Sequence, residues 1–275
     1  MRSTLTAGMR EICQSKLPLV PWMDARTSRL PGLNPVNPGD WLRLDEVYAD
    51  QMAYREALLR EHRDNVYQVS QQAKPAAEEL LQVIVAELDS MSGFTFGAGN
   101  ILCPDGREVK IDRNNPLLTA ARLVQEDLCI MEKTGDEHRL TAAALCFPAS
   151  WMLAEKFLQP LTHIHDPVPN YTAEIANRVQ RLFDLIKVDR PMWRANYLIY
   201  ADPDLHQPRS VSDRRKVSPS DRRWMRVERQ CLVRLPKTGA VVFTIHSYVV
   251  PLESLSATQL RELPAGIRSG NAGIH

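Results

Sequence analysis

The chain has 275 residues, of which 44% are hydrophobic and 24% are charged, which is enough for one large globular domain with an extension. Its 34 basic and 33 acidic residues leave a net charge of +1, so charge gives no reason to expect nucleic acid or an anionic membrane surface as a partner. The five cysteines form no CxxC pair and no apolar run reaches the roughly 20 residues of a membrane helix, so we expect no iron–sulfur cluster, no membrane span and a cytoplasmic location.

The first part of the chain is predicted to be an arm followed by helices. Prolines are frequent in residues 17–40 and interrupt regular structure, so this segment is expected to wrap the domain. Asp40 is predicted to be the N-cap of a helix over residues 40–67, and Pro75 begins a second helix that runs to residue 88. Each helix has one apolar stripe that needs a larger partner, so residues 1–124 are predicted to be an extension packed on a core.

A hairpin and a further helix are expected before the core begins. Residues 101–111 are broken by Pro104-Asp105-Gly106, which has the chemistry of a tight turn between two short strands. Residues 115–127 are predicted to be helical.

The second half of the chain is predicted to be a core of five strands with helices between the second and the third. The strands are predicted at residues 128–133, 139–147, 192–200, 224–235 and 240–250, and the helices at 150–157 and 172–187. This order is that of a PAS domain. We therefore predict an α+β fold with a PAS-like antiparallel five-stranded sheet in residues 125–265, a helical N-terminal extension and a flexible tail over residues 266–275. The polar loop 202–223 is expected either to cover a site or to be solvated.

Six strings in the chain carry a family likeness. They are Leu123-Val-Gln-Glu-Asp-Leu-Cys129, Leu145-Cys-Phe-Pro148, Ile164-His-Asp-Pro-Val-Pro169, Arg226-Val-Glu-Arg-Gln230, Arg234-Leu-Pro236 and Thr238-Gly-Ala-Val-Val-Phe-Thr-Ile245. In this order they resemble the heme-dependent oxidative N-demethylase alpha-subunit family over about half of the chain.

The resemblance implies a PAS-like domain that carries heme b and oxidises a small-molecule substrate, for which an amine is the family precedent. It also implies dioxygen or a peroxide as oxidant and a separate electron-donor protein, since this sequence has neither a cysteine cluster nor a pyridine-nucleotide fingerprint. Two alternatives are a heme-binding PAS-type sensor or ligand-binding module without catalysis, and a PAS-like protein without heme.

The histidines supply the candidates for an axial heme ligand. His163 and His165 lie in the proline-broken segment between the predicted core helices, and His165 matches the family string. The resemblance therefore implies His165 as the iron ligand, with Tyr171 nearby as a cofactor contact. A loop histidine considered without the resemblance is more often a surface residue. His62, His138 and His275 are expected to face solvent, and His206 lies in the polar loop.

Charged residues on the predicted strands supply the remaining candidates. Arg226 and Glu228 share one strand face and Arg229 lies on the other, so either arginine could pair with a heme propionate while Glu228 contacts an amine or relays protons. A solvated face with cross-strand ion pairs explains the same pattern equally well. Arg194 and Asn196 are further candidates for cofactor binding on the strand at residues 192–200.

The last strand carries two more polar candidates on one face. His246 and Tyr248 would hold oxygen or substrate if their face lines the heme, and would be bystanders if it does not. The predicted catalytic set is therefore Glu228, His246 and Tyr248.

Overall fold

A seven-stranded antiparallel sheet forms the centre of the molecule. The structure is a computed structural model that describes residues 12–28, 32–165, 173–210 and 223–268. Its strands are β1 (Asn34–Pro35), β2 (Tyr67–Val69), β3 (Thr95–Phe96), β4 (Asn100–Leu102), β5 (Glu108–Lys110), β6 (Asp127–Thr134), β7 (Glu137–Ala144), β8 (Met192–Tyr200), β9 (Trp224–Arg234) and β10 (Val241–Pro251). Its helices are α1 (Tyr48–Glu61), α2 (Arg63–Val66), α3 (Lys74–Leu88), α4 (Pro116–Ala121), α5 (Leu153–Lys156), α6 (Leu161–His165), α7 (Ala173–Leu185), α8 (Ala257–Glu262) and α9 (Ala265–Arg268).

The strand order of the large sheet is β1-β8-β9-β10-β6-β7-β2. The inner five are the five predicted core strands, and the predicted α+β class is confirmed. The sheet is wider than the expected five strands because the N-terminal part of the chain adds a short strand at each edge, β1 beside β8 and β2 beside β7. Short edge strands limit the backbone that an open sheet would offer to other chains.

The hairpin of β9 and β10 is the longest pairing in the sheet. Its register runs from Arg234 opposite Val241 to Trp224 opposite Pro251, and the predicted turn at residues 236–239 connects the strands. Helix α3 fixes this turn, because the Glu79 carboxylate accepts hydrogen bonds from the backbone N–H groups of Lys237 and Thr238 and from the Thr238 hydroxyl. The turn is therefore held by a contact between parts of the chain that are far apart in sequence.

Alternation along the strands divides the sheet into two faces. The arm face carries Arg229, Cys231 and Val233 of β9 with Val242, Thr244, His246 and Tyr248 of β10. The cleft face carries Arg194 and Asn196 of β8 with Arg226, Glu228, Gln230 and Leu232 of β9.

The arm face is covered by the N-terminal part of the chain and by the C-terminal helices. Buried side chains of α1, α3 and α4 pack on Cys231, Val233 and Val242, while Trp22, Leu263 and Ile267 cover the other end of this face. This packing supports the prediction that residues 1–124 are an extension of the core, which stays a prediction. The chain remains packed as far as Ile267, and residues 269–275 of the predicted tail lie outside the described residues.

The cleft face is covered at one end by the helices that follow β7. Leu153 of α5, Leu161 of α6 and Phe183 of α7 pack in a cluster with Leu232 of β9 and Ile245 of β10. Helix α6 lies within the segment that was expected to be broken by prolines, and it begins directly after Pro160.

Four N-terminal predictions can be compared with the observed elements. The second helix is confirmed as α3, with Pro75 in its first turn, and the hairpin at residues 101–111 is confirmed as β4 and β5, which pair with a third strand, β3. The helix at 40–67 was wrong at its start, because α1 begins at Tyr48 and the Asp40 carboxylate pairs with Arg43 and Arg229 instead of capping a helix. The helix at residues 115–127 is shorter than predicted, since α4 ends at Ala121 before β6 begins.

Among the described residues, no helix combines the length and the apolar character needed to cross a lipid bilayer.

Candidate functional site

A block of polar side chains occupies the middle of the cleft face. On β8, Arg194 lies opposite Gln230 of β9, and Asn196 lies opposite Glu228. A small cleft opens beside this block, and its lining includes Asn196, Leu198, Tyr200, Arg226 and Glu228. Because side chains two residues apart on a strand share a face, four hydrogen-bonding groups converge on one area.

Glu228 is held from both directions along its own strand. Its Oε1 accepts from Nε of Arg226 at 3.2 Å, and its Oε2 accepts from Nε2 of Gln230 at 3.1 Å. The residue is 7% exposed and lines the cleft. A carboxylate oxygen can accept two hydrogen bonds, so each oxygen retains capacity for a bound molecule.

Arg226 is occupied by the protein itself. Besides Glu228, it donates to the carbonyl oxygens of Leu205 at 2.9 Å and Phe147 at 2.6 Å, and to the hydroxyl of Ser247 at 3.1 Å. Its guanidinium also lies 5.8 Å from the centre of the Tyr200 ring. With four donated hydrogen bonds and a side chain that is 2% exposed, Arg226 has little capacity left for a ligand.

Arg194 and Asn196 are different, because each has a buried polar atom without a partner. Neither Nε of Arg194 nor Oδ1 of Asn196 has a hydrogen-bond partner among the described residues. Burial lowers the pKa of the Arg194 guanidinium from its usual value, and the nearby Glu228 carboxylate opposes this shift. An unsatisfied donor and an unsatisfied acceptor two residues apart are what a bound polar group would satisfy.

The other three strand candidates lie on the arm face. Arg229 donates to the carbonyl oxygen and the carboxylate of Asp40, and its guanidinium lies 5.3 Å from the centre of the Trp193 ring. His246 and Tyr248 are both buried there, with ring centres 4.6 Å apart. The sheet therefore separates Arg229, His246 and Tyr248 from Glu228, and the predicted catalytic set does not converge on one site.

His246 is clamped between two carboxylates. Its Nδ1 lies 3.0 Å from Oε1 of Glu126, and its Nε2 lies 3.2 Å from Oδ2 of Asp45. Burial disfavours the charged imidazolium, but the carboxylates of Glu126 and Asp45 outweigh this effect and raise the pKa of His246 to about 9. The arrangement ties the end of the N-terminal arm to the sheet.

His165 and Tyr171 are the candidates in or near the family string, and the structure describes only the backbone of His165. His165 is the last residue of α6, on the side of the sheet that bears the cleft, and its side chain lies outside the described part of the chain, as does all of Tyr171. His163 is exposed to solvent. Among the described residues, no three histidine, cysteine, aspartate or glutamate side chains are grouped to hold a metal ion.

The remaining histidines include one wrong prediction. His138 was expected to face solvent but is 1% exposed, because α7 packs over it: its Nδ1 lies 2.8 Å from Nε2 of Gln180 and its ring lies beside Phe183. Burial lowers the pKa of His138 from its usual value. His62 is exposed as predicted, and His206 bonds through Nδ1 to the carbonyl oxygen of Cys146. His275 lies outside the described residues.

Sequence reasoning missed the acidic residues that start β6. Asp127 is fully buried, forms an ion pair with Arg55 at 3.0 Å and accepts the backbone N–H groups of Cys146 and Phe147. Its neighbour Glu126 is the partner of His246. The available signal was a pair of acidic residues at the start of an apolar strand, where a charge needs a buried partner.

A comparison with known families adds to this description of the site. The model of the family described as "Haem-dependent oxidative N-demethylase, alpha subunit-like" matches residues 32–275, which include all of the elements that form both faces of the sheet.

Proposed function

Because this chain belongs to the heme-dependent oxidative N-demethylase, alpha subunit-like family, we propose that it is a heme-dependent oxidoreductase acting on a small organic substrate. The family precedent is oxidative N-demethylation of an amine. Heme b, when bound, would supply the redox chemistry by activating dioxygen or a peroxide. The reducing electrons would come from a separate protein, because the five cysteines of the chain lack the spacing of an iron–sulfur site.

The strand arrangement supports a PAS-like core. The inner five strands, numbered by their order in the core, lie in the spatial order three-four-five-one-two, and helices α5–α7 connect the second to the third. Those helices cover one end of the cleft face. We place the heme between this face and the segment that contains α6 and α7.

The three candidate arginines differ in what they can offer a heme propionate. Arg226 already donates four hydrogen bonds to the protein, and Arg229 lies on the arm face beside Asp40. Arg194 carries a charge with an unpartnered Nε on the cleft face, with the amide of Asn196 beside it. We therefore propose Arg194 and Asn196 as the groups that hold the propionate edge of the cofactor.

The axial ligand and the substrate contacts complete the proposal. His165 would bind the iron from the end of α6, with Tyr171 contacting the cofactor nearby. Glu228 would accept the N–H of a bound amine, because its two oxygens border the cleft and each can accept another bond. His246 and Tyr248 are left out of this site because they face the opposite side of the sheet.

One observation carries the proposal beyond the family match, namely the unsatisfied Nε of Arg194 beside the unsatisfied Oδ1 of Asn196. Buried polar atoms are usually paired in a folded protein, so two unpaired atoms two residues apart on one strand face support a bound ligand at this place. The positive charge of Arg194 indicates that this ligand brings an anionic group.

Hemin titration tests the proposal. The purified chain is expected to take up one heme and to develop a histidine-ligated Soret band, whereas His165→Ala should abolish this uptake or weaken it severely. His163→Ala is the matched control, because His163 lies two residues away in the same helix and is exposed to solvent.

The possible outcomes separate the alternatives. No Soret band in the wild-type chain would reject heme binding, and a normal histidine-ligated spectrum in His165→Ala would assign the ligand to another residue. Heme uptake without oxidation of any secondary amine, in the presence of a reductant and dioxygen, would favour a sensor or carrier.

A further inference from the structure

Arg226 connects the cleft to the backbone of two separate segments. Phe147 follows β7 and Leu205 follows β8, and the guanidinium of Arg226 donates to the carbonyl oxygens of both. Backbone carbonyls move less than side chains, so these contacts fix the plane of the guanidinium fork. The Nε that remains points along β9 to Oε1 of Glu228.

Glu228 depends on this anchor for its orientation. Gln230 bonds the other carboxylate oxygen, so the carboxylate is fixed by the residues two positions before and after it. A free glutamate side chain has several rotamers, and ordering it at the moment of binding costs affinity. A carboxylate that is already held at both oxygens avoids most of that cost.

We propose that Arg226 is a positioning residue, which holds the Glu228 carboxylate at the cleft so that it accepts the N–H of a bound amine. The proposal rests on the proposed function, since it assumes that Glu228 meets an amine. It gives Arg226 a role that is different from the propionate contact expected from sequence. Arg194 and Arg226 then have separate roles on the same face. Arg194 contacts the cofactor, and Arg226 orients the Glu228 carboxylate that accepts the substrate amine.

The chain contains a matched control for this role on the same strand. Arg234 also lies on β9 and also donates to backbone carbonyls, those of Phe183, Ile186 and Gly239, but it has no contact with Glu228. Arg234→Lys therefore removes a carbonyl-binding fork of the same kind away from the cleft. An effect seen in Arg226→Lys and absent from Arg234→Lys cannot come from loosening β9 in general.

The experiment measures two affinities on the heme-loaded protein by their effect on the Soret band. Imidazole reports access to the iron, and dimethylammonium reports the amine site. Arg226→Lys is expected to leave heme stoichiometry and imidazole affinity unchanged and to weaken dimethylammonium binding about 10-fold, the effect of losing one charge-assisted hydrogen bond. Arg234→Lys should change neither affinity by more than about 2-fold, because Arg234 does not hold Glu228 and because independent substitutions agree within about this margin.

A double-mutant cycle with Glu228→Gln distinguishes positioning from packing. If Arg226 acts through Glu228, then Glu228→Gln alone weakens dimethylammonium binding and Arg226→Lys adds little in that background. If Arg226→Lys does not fold, Ser247→Ala loosens the same guanidinium and should weaken dimethylammonium binding only when Glu228 is present.

The contradicting results are distinct. Unchanged amine affinity in Arg226→Lys, or in Ser247→Ala if Arg226→Lys does not fold, together with a loss in Glu228→Gln would overturn the positioning role while leaving the proposed function intact. Equal losses on Arg226→Lys with and without Glu228 would show a purely structural residue. Unchanged amine affinity in Glu228→Gln would reject the assignment of Glu228 itself, and with it the proposed amine site.

Discussion

The two faces of the central sheet carry similar charged residues that have different partners. On the arm face, Arg229 is paired with Asp40, and His246 is paired with both Glu126 and Asp45. On the cleft face, Glu228 is held by Arg226 and Gln230, but Nε of Arg194 has no partner among the described residues. The charged strand residues of the arm face and the Arg226–Glu228 pair of the cleft face are therefore internal cross-links, whereas Arg194 has a buried Nε without a partner among the described residues.

The difference shows that a charge on a buried strand does not by itself indicate a binding site. What distinguishes Arg194 from Arg226 and Arg229 is that its Nε has no partner among the described residues. On the arm face, Asp40, Asp45 and Glu126 supply the carboxylates. On the cleft face, Asn196 and Glu228 line a cleft beside Arg194. Removing a charge from the arm face should then lower the free energy of unfolding, whereas removing the charge of Arg194 from the cleft face should leave it unchanged or raise it.

The largest effect is expected from His246→Ala. It would leave the carboxylates of Glu126 and Asp45 without their shared imidazolium, and breaking a buried ion pair costs roughly 3–5 kcal/mol. Urea unfolding followed by circular dichroism measures the loss. His138→Ala is the control, because His138 is equally buried but bonds the neutral amide of Gln180, so its removal should cost only about 1–2 kcal/mol. Equal losses in both variants would show that the carboxylate clamp has no special weight.

The sequence predicted the strands of this sheet better than the partners of its charges. Alternation and the turn at residues 236–239 located β8, β9 and β10 to within about one residue at each end, because these signals are local. The edge strands β1 and β2 have two and three residues, and they exist only because a longer strand pairs with them. The residues around Asp40 predicted a helix cap, but Asp40 accepts a hydrogen bond from Arg229, which lies 189 residues away in the sequence.

For the candidate site, too, the sequence predicted the strand face of each residue but not its partners. Alternation correctly placed Arg226 and Glu228 on one face and Arg229 on the other. It could not tell which face would be covered by what, because His246 finds its partners 120 and 201 residues away in sequence. Whether a strand arginine is satisfied by the protein or waits for a ligand depends on such long-range contacts.

Replacing one arginine on each face with methionine tests the comparison directly. Arg229→Met should destabilise the chain by roughly 2–3 kcal/mol, because it removes the donor to the carbonyl oxygen of Asp40 and leaves the Asp40 carboxylate with Arg43 alone. Arg194→Met removes a guanidinium whose Nε is buried without a partner among the described residues, so the heme-free chain should be unchanged or more stable by about 1 kcal/mol.

Heme affinity should follow the opposite order in these two variants. Arg194→Met is expected to weaken hemin binding about 10-fold or more, since it removes the proposed partner of a propionate. Arg229→Met should leave it unchanged in the folded fraction. Thermal unfolding measures stability and hemin titration measures heme affinity. A destabilised Arg194→Met chain with normal heme affinity would show that Arg194, like Arg229, has a structural role.

The two buried histidines should also differ in the pH dependence that they give to stability. His246 has a folded-state pKa of about 9, above its usual value near 6.5, so its contribution to the free energy of unfolding is complete below pH 6.5 and is lost as the pH rises to about 9. His138 has a lowered pKa, so its contribution is complete above pH 6.5 and is lost as the pH falls below that value. Unfolding free energies measured from pH 5 to pH 10 should therefore decline at both ends. Replacing His246 should flatten the alkaline decline, and replacing His138 should flatten the acidic one. If the alkaline decline persists without His246, the charge of His246 does not stabilise the carboxylates of Glu126 and Asp45.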